Sequence, residues 1–207
     1  MKLFRKLLFV SLLFCFGIAH AGKGFTQMDP VQPTESGKKV EVIEFFYYGC
    51  PHCYDLQKYL EAWLKKMPAD VQFRYQPTAF DDTWARLART YYALNALGLE
   101  PKWHQAVYDA VQNQNIDLGD EKTFIKWVAG RGIDAGKATA AWNAFSTQVA
   151  VSRAREITKN YGIDGTPSLV VDGKYLTSPG ITQSLPGTIT VLDQLISRAR
   201  AERAHPR

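Results

Sequence analysis

The sequence predicts an α/β fold in which one sheet is interrupted by an all-helical insertion. Three observations predict it. Runs rich in β-branched and aromatic residues occur at 40–48 and 71–75, and again at 168–176, with nothing of that kind between. The intervening stretch, 81–160, carries apolar residues at helical spacing throughout. Neither flanking piece is large enough to bury a core alone, so the two must contribute to a single sheet.

The chain has 207 residues and a formal net charge of +5. Lys2, Arg5 and Lys6 precede an apolar stretch from Leu7 to Ile18, and Ala19-His20-Ala21 supplies small residues for cleavage. This is the pattern of a secretory signal, cleaved after about Ala21, and the apolar stretch is short for a membrane span. Cys15 follows the bulky Phe14, which argues against lipidation there. Without 1–21 the net charge falls to +2 and no Lys/Arg-rich run remains, so nucleic acid is not an expected partner. Cys50 and Cys53 become the only cysteines of an exported chain of 186 residues.

Residues 22 to 39 read as an irregular, partly exposed arm broken by Pro30, Pro33 and Gly37. Val40 to Tyr48 reads as a buried strand. Cys50 to Lys66 reads as a helix with Cys53, Leu56, Tyr59, Leu60, Trp63 and Leu64 on one face, stopped by Pro68. Val71 to Tyr75 alternates as a second strand. Four or so helices follow: one capped at Asp81-Asp82-Thr83 and ending near Gly98, one opened by Pro101, one from Glu121 to Ala129 capped by Asp120, and a run from Asp134 to Asn160 with a break near Ser146. Trp84, Tyr91, Tyr92, Trp103, Trp127 and Trp142 read as the core of this insertion, and His104 carries no functional signal. Ser168 to Val171 is a strand, Asp172-Gly173 a hairpin turn, and Lys174 to Leu176 the returning strand. Thr188 or Thr190 starts the last amphipathic helix.

The chemistry concentrates in Cys50-Pro51-His52-Cys53, between the first strand and its helix. A cysteine at a helix N-terminus meets free backbone N–H groups and the positive end of the dipole, both of which favour a thiolate. A bridge enclosing two residues constrains the unfolded chain little, so the pair is a poor structural staple. A closed zinc site needs more ligands than one Cys pair, with His104 and His205 elsewhere, and haem attachment needs a histidine where Tyr54 stands. No metal or cofactor is called for. Glu44 inside the apolar strand can point outward or into the core.

Phe45 to Tyr54, with Cys50-Pro51-His52-Cys53 at its centre, resembles the active-site segment of the DsbA family of periplasmic thiol:disulfide oxidoreductases. Tyr161 to Val170, with Gly165-Thr166-Pro167, is similar to the cis-proline region of thioredoxin-fold proteins. The resemblance covers essentially the whole mature chain. It implies a thioredoxin fold interrupted by a helical insertion, divided as 22–80, 81–160 and 161–207. It implies that Cys50 is the exposed nucleophile, Cys53 the recessed resolving thiol, His52 a support for the thiolate, and Pro51 the residue that holds the first turn. Thr166 and Pro167 would form a cis peptide against the disulfide and offer backbone bonds to an extended substrate. Glu44 would be the buried acid that accepts the Cys53 proton, with a pKa raised by burial. Two departures stand out: the family's basic partner for that acid falls near Tyr75, with Arg74 and Gln76 alongside, and Thr166 replaces a valine, which would tune substrate release. The implied partners are reduced, partly unfolded exported proteins and a DsbB-like membrane quinone reductase, with the chain acting as a monomer in the periplasm. An isomerase or reductase on the same scaffold and a chaperone-like groove with incidental cysteines are the competing readings.

Overall fold

The structure, a computed structural model, describes residues 24–205. The expected signal segment and Cys15 lie outside the described residues. Five strands form one sheet: β1 (Thr26–Gln27), β2 (Val40–Phe46), β3 (Val71–Pro77), β4 (Ser168–Val171) and β5 (Tyr175–Thr177). Their order is β1-β5-β4-β2-β3, with β2 and β3 parallel and the other neighbours antiparallel. β2 is buried along its whole length, as its near-continuous apolar sequence requires for a central strand covered on both faces. Helix α1 (Pro51–Leu64) connects β2 to β3, and α2 (Asp82–Ala96), α3 (His104–Gln112), α4 (Glu121–Ala129), α5 (Ala135–Asn143) and α6 (Phe145–Asn160) lie between β3 and β4. Two further helices, α7 (Pro179–Thr182) and α8 (Leu185–Ala204), follow β5.

The alternation of β2 divides its residues between two cores. Val40 and Val42 pack with Leu60 and Trp63 of α1 and Leu192, Leu195 and Ile196 of α8. Phe46 continues that face into the helical segment, against Tyr108, Phe124 and Trp127. Ile43 and Phe45 face the other way, against Tyr161, Ile163 and Val170. Asp81, Asp120 and Asp134 cap α2, α4 and α5 by accepting backbone N–H bonds from Trp84, Thr123 and Lys137. The β4–β5 hairpin turns on Asp172 and Gly173, both with positive φ, which an Asp-Gly pair accommodates. A Cβ on Gly173 would sit 2.0 Å from the Gln32 carbonyl oxygen.

Several elements differ from the sequence expectation. Part of the arm is not irregular: Thr26 and Gln27 pair with Leu176 and Tyr175, and Met28 and Gln32 bond to Lys174 and Gly173. Two residues carry no readable alternation, so only the exposed sheet edge reveals the strand. The second insertion helix starts at His104 rather than Pro101, because residues 101–103 form turns. The break expected near Ser146 falls at Ala144, whose extended ψ separates α5 from α6. The last helix starts at Leu185, capped by Ser184, one turn before Thr188. Pro186 sits in the first turn, where its missing N–H has no helical partner to lose.

Candidate functional site

Cys50 ends the turn after β2 and is the N-cap of α1, with its N–H bonded to the Tyr47 carbonyl and Pro51 at the first helical position. Proline suits that position because its φ is already helical. Gly49 leaves room for the Tyr47 ring, which a Cβ there would meet at 2.4 Å. Tyr47 in turn stacks on Trp84 at 3.9 Å, and Phe80 packs edge-on to Trp84, forming an aromatic ledge beside the cysteine. Gln112 donates to the Tyr48 carbonyl at 2.7 Å and ties this turn to α3.

The two cysteines are free thiols with opposite environments: Cys50 is half-buried and Cys53 fully buried. The Cys50 pKa is pulled down to about 5, first by the hydrogen bond from the Cys53 thiol, against the opposing effect of burial. Thr166 acts in both directions. Its side chain helps the thiolate, whereas its carbonyl accepts the Cys50 S–H at 3.3 Å and so favours the thiol. No conventional cap bond reaches the sulfur, yet the backbone N–H groups of His52 and Cys53 still act on it. The ring of His52 is exposed, and its largest effect on Cys50 comes through that backbone N–H. Cys53 is pushed well above the ordinary thiol range by burial, by its bond to Cys50, and by the nearby charges of Cys50 and Glu44. The pair is therefore split into one group that ionises easily and one that holds its proton.

The wall opposite Cys50 comes from residues more than a hundred positions away. Ser168 of β4 lies across from Phe45 of β2, so continuing that register brings the Thr166–Pro167 peptide to the turn that carries Cys50. The peptide is cis, and Ser168 Oγ donates to the Gly165 carbonyl at 2.8 Å to hold the loop. Beside it, a cleft of about 380 Å³ runs from His52 past Thr166 and Pro167 to Ser178 and Pro179.

Glu44 points into the core on the α1 face of β2 and is fully buried. Burial raises its pKa to about 8, a hydrogen bond from Gln57 opposes that, and the negative charge on Cys50 adds to it. The position near Tyr75 expected for a basic partner is occupied by Tyr75 itself, paired with Glu44 in the β2–β3 register. Arg74 and Gln76 alternate onto the opposite face, where Arg74 meets Glu41 at 3.5 Å. The partner of Glu44 is instead neutral: Gln57 Nε2 lies 3.2 Å from both carboxylate oxygens. Gln57 stands one turn beyond Cys53 on α1, and a polar residue breaking that apolar stripe was the signal available in the sequence. His104 is also buried, enclosed by Phe46, Tyr48, Tyr75 and Tyr108, with Nδ1 2.9 Å from the Tyr48 hydroxyl. Among the described residues no cluster of three His, Cys, Asp or Glu could hold a metal ion.

A family model described as DSBA-like thioredoxin domain matches residues 41–186. The thiol:disulfide interchange protein DsbA of Burkholderia cepacia is 39% identical over 208 residues, covering 97% of this chain and 98% of the relative. The DsbA of Azotobacter vinelandii is 33% identical over 87% of this chain and 84% of its own length. The crystal structure of Pseudomonas aeruginosa DsbA superposes with a TM-score of 0.83 at 30% identity, covering 88% of this chain and 95% of that one. A split thiol pair beside a cis-proline loop, on a fold shared with these proteins, places the chain in the DsbA family, and it is a thiol:disulfide oxidoreductase of thioredoxin-like fold.

Proposed function

We propose that the protein oxidises cysteine pairs of exported proteins to disulfides, cycling between the Cys50–Cys53 disulfide and the dithiol. The observation that carries this reading is the asymmetry of the pair: a stabilised, half-buried Cys50 thiolate against the Thr166 carbonyl, and a buried Cys53 that keeps its proton. A substrate thiolate attacks the Cys50 sulfur, the Cys50–Cys53 bond breaks, and Cys53 leaves as a thiolate that takes a proton from Glu44. A second substrate thiolate then attacks the mixed disulfide, the substrate disulfide forms, and Cys50 leaves as the stabilised thiolate. Two electrons pass from substrate to enzyme. Stabilising the thiolate stabilises the reduced enzyme and so makes the disulfide more oxidising.

In this reading Thr166 and Pro167 hold the substrate strand, Pro51 sets the first turn of α1, and His52 supports the thiolate through its backbone. Segments 22–80 and 161–207 form the thioredoxin-like unit and 81–160 the insertion. The chain works in the periplasm as a monomer after cleavage near Ala21, and a DsbB-like quinone reductase reoxidises it. Two assays with the purified oxidised protein separate the readings. Oxidation of a reduced, unfolded protein should be fast and stoichiometric, and reactivation of a protein with scrambled disulfides should be slow. The reverse order of rates would establish the isomerase reading instead.

A further inference from the structure

Among the described residues no cation lies beside the buried Glu44, and its bonded partner belongs to a short polar string that continues away from the cysteines. Gln57 is 1% exposed and donates through Nε2 to both Glu44 oxygens. Its Oε1 accepts from the Tyr75 hydroxyl at 3.4 Å. Tyr75 is held face-to-face on His104, with ring centroids 3.9 Å apart, and His104 Nδ1 bonds the Tyr48 hydroxyl, with a Glu100 oxygen 3.4 Å away. The ionisable groups facing Glu44 are Cys50 at the N-cap of α1, Cys53 in its first turn, Tyr75 on β3 and Tyr108 on α3. Glu61 acts on Tyr75 from α1, Glu100 and His104 lie beyond Tyr75, and β4 presents Leu169 opposite Glu44.

A carboxamide has a donor end and an acceptor end of nearly equal size, and rotation about its last torsion exchanges them. Gln57 is the member of this string that bonds the carboxylate directly. We propose that Gln57 is the positioning residue that lets Glu44 exchange its proton while buried, donating to the carboxylate in one amide orientation and accepting from the carboxylic acid in the other, with the Tyr75 hydroxyl switching from donor to acceptor in step. The proposal rests on the reading that Glu44 exchanges a proton with the cysteine pair. The exchange is balanced: the Cys53 thiolate and protonated Glu44 become the Cys53 thiol and the Glu44 carboxylate, and Tyr75 keeps its proton. A lysine at 57 would satisfy only the carboxylate, and an apolar residue would satisfy neither form.

The test is the reduction potential of the Cys50–Cys53 couple against glutathione, followed from about pH 5 to about pH 10 across the titrating groups involved. The wild-type protein is compared with Glu44→Gln, Gln57→Leu and Gln57→Lys. Glu44→Gln should remove one break in slope. Gln57→Leu should move that break upward by about half a pH unit or more, because the bond to the charged form is the stronger of the two lost. Gln57→Lys should move it downward by about one pH unit. A break unmoved by both Gln57 variants overturns the proposal and leaves the Glu44 reading standing; a break that survives Glu44→Gln overturns both. Because a buried lysine can prevent folding, the side-chain amide ¹⁵N resonance of Gln57 in the unaltered protein gives a second measurement. It should move with pH at the midpoint of that break and stay flat in Glu44→Gln. A resonance that is flat in the wild-type protein overturns the proposal.

Discussion

Cys50→Ala abolishes oxidation of reduced, unfolded proteins; Cys53→Ala, which has no disulfide to pass on, also loses oxidation, but its Cys50 thiolate attacks the disulfide of an oxidised protein, releases one thiolate and accumulates as a mixed disulfide. The difference follows from position. Cys50 stands half-exposed at the helix N-terminus against the Thr166–Pro167 wall, so an incoming thiolate reaches its sulfur and not the buried one. Cys53 has no exposed surface and a pKa far above the ordinary thiol range, so its role is confined to leaving from Cys50 and returning to it. Removing Cys50 leaves no accessible thiol at the site, and the rate should fall by several orders of magnitude to that of uncatalysed exchange. Removing Cys53 leaves nothing to resolve a mixed disulfide within the enzyme. Non-reducing gels and intact mass spectrometry check both outcomes, after exposure of Cys50→Ala to reduced substrate and of Cys53→Ala to a disulfide-containing substrate. A Cys50→Ala protein that still oxidises substrate would sink the assignment of the nucleophile.

Glu44→Gln stabilises the reduced protein at alkaline pH and leaves its stability unchanged near pH 4. The folded-state pKa of Glu44 is raised from 4.5 to about 8 by burial, so between those values the folded protein holds a proton that the unfolded chain has released. Stability therefore declines as pH rises from 4.5, and the decline is complete above about pH 8. Glutamine removes the titration and keeps a group able to bond to Gln57. The gain above pH 8 should be roughly 2–4 kcal/mol, allowing for the coupling of Glu44 to the cysteine pair. Urea midpoints of the reduced protein and the variant at pH 4 and pH 8.5 give the comparison. Equal midpoints at pH 8.5 would show that Glu44 titrates as an ordinary exposed acid.

Most of the strand and helix framework was legible because it rests on local signals. Asp120 before Glu121–Ala129 names its helix from capping chemistry and periodicity, and Asp172-Gly173 names its hairpin from backbone conformation alone. What escaped was set by tertiary partners. β1 is two residues long and exists because the edge of β5 is open to it. α8 starts at Leu185, one turn before the Thr188 that the sequence suggested, with Pro186 inside its first turn. At the site, the Cys50–Cys53 motif and the distant Thr166–Pro167 were readable from their segments, and the β2–β4 register brings them together. The partner of Glu44 was not readable by scanning β3 for a cation, because Arg74 lies on the wrong side of a period-two strand. Gln57 and His104 are polar residues on otherwise apolar helix faces, and only packing shows that the first bonds Glu44 and the second supports Tyr75.

The central claim is that the protein makes the reduced pair the favoured state by stabilising the Cys50 thiolate. At pH 7, with the sulfur half-exposed and solvent screening part of the effect, the lowered pKa should contribute about 1–2 kcal/mol, or roughly 20–40 mV toward a more oxidising couple. The most direct measurement is the equilibrium potential of Cys50–Cys53 in glutathione buffers at pH 7, with the Cys50 thiolate titrated by its ultraviolet absorbance in the same samples. The account predicts a Cys50 midpoint well below the ordinary thiol range and a potential more oxidising than the glutathione buffer. A Cys50 midpoint near the ordinary thiol value, with a potential as reducing as that of thioredoxin at roughly −270 mV, would contradict it.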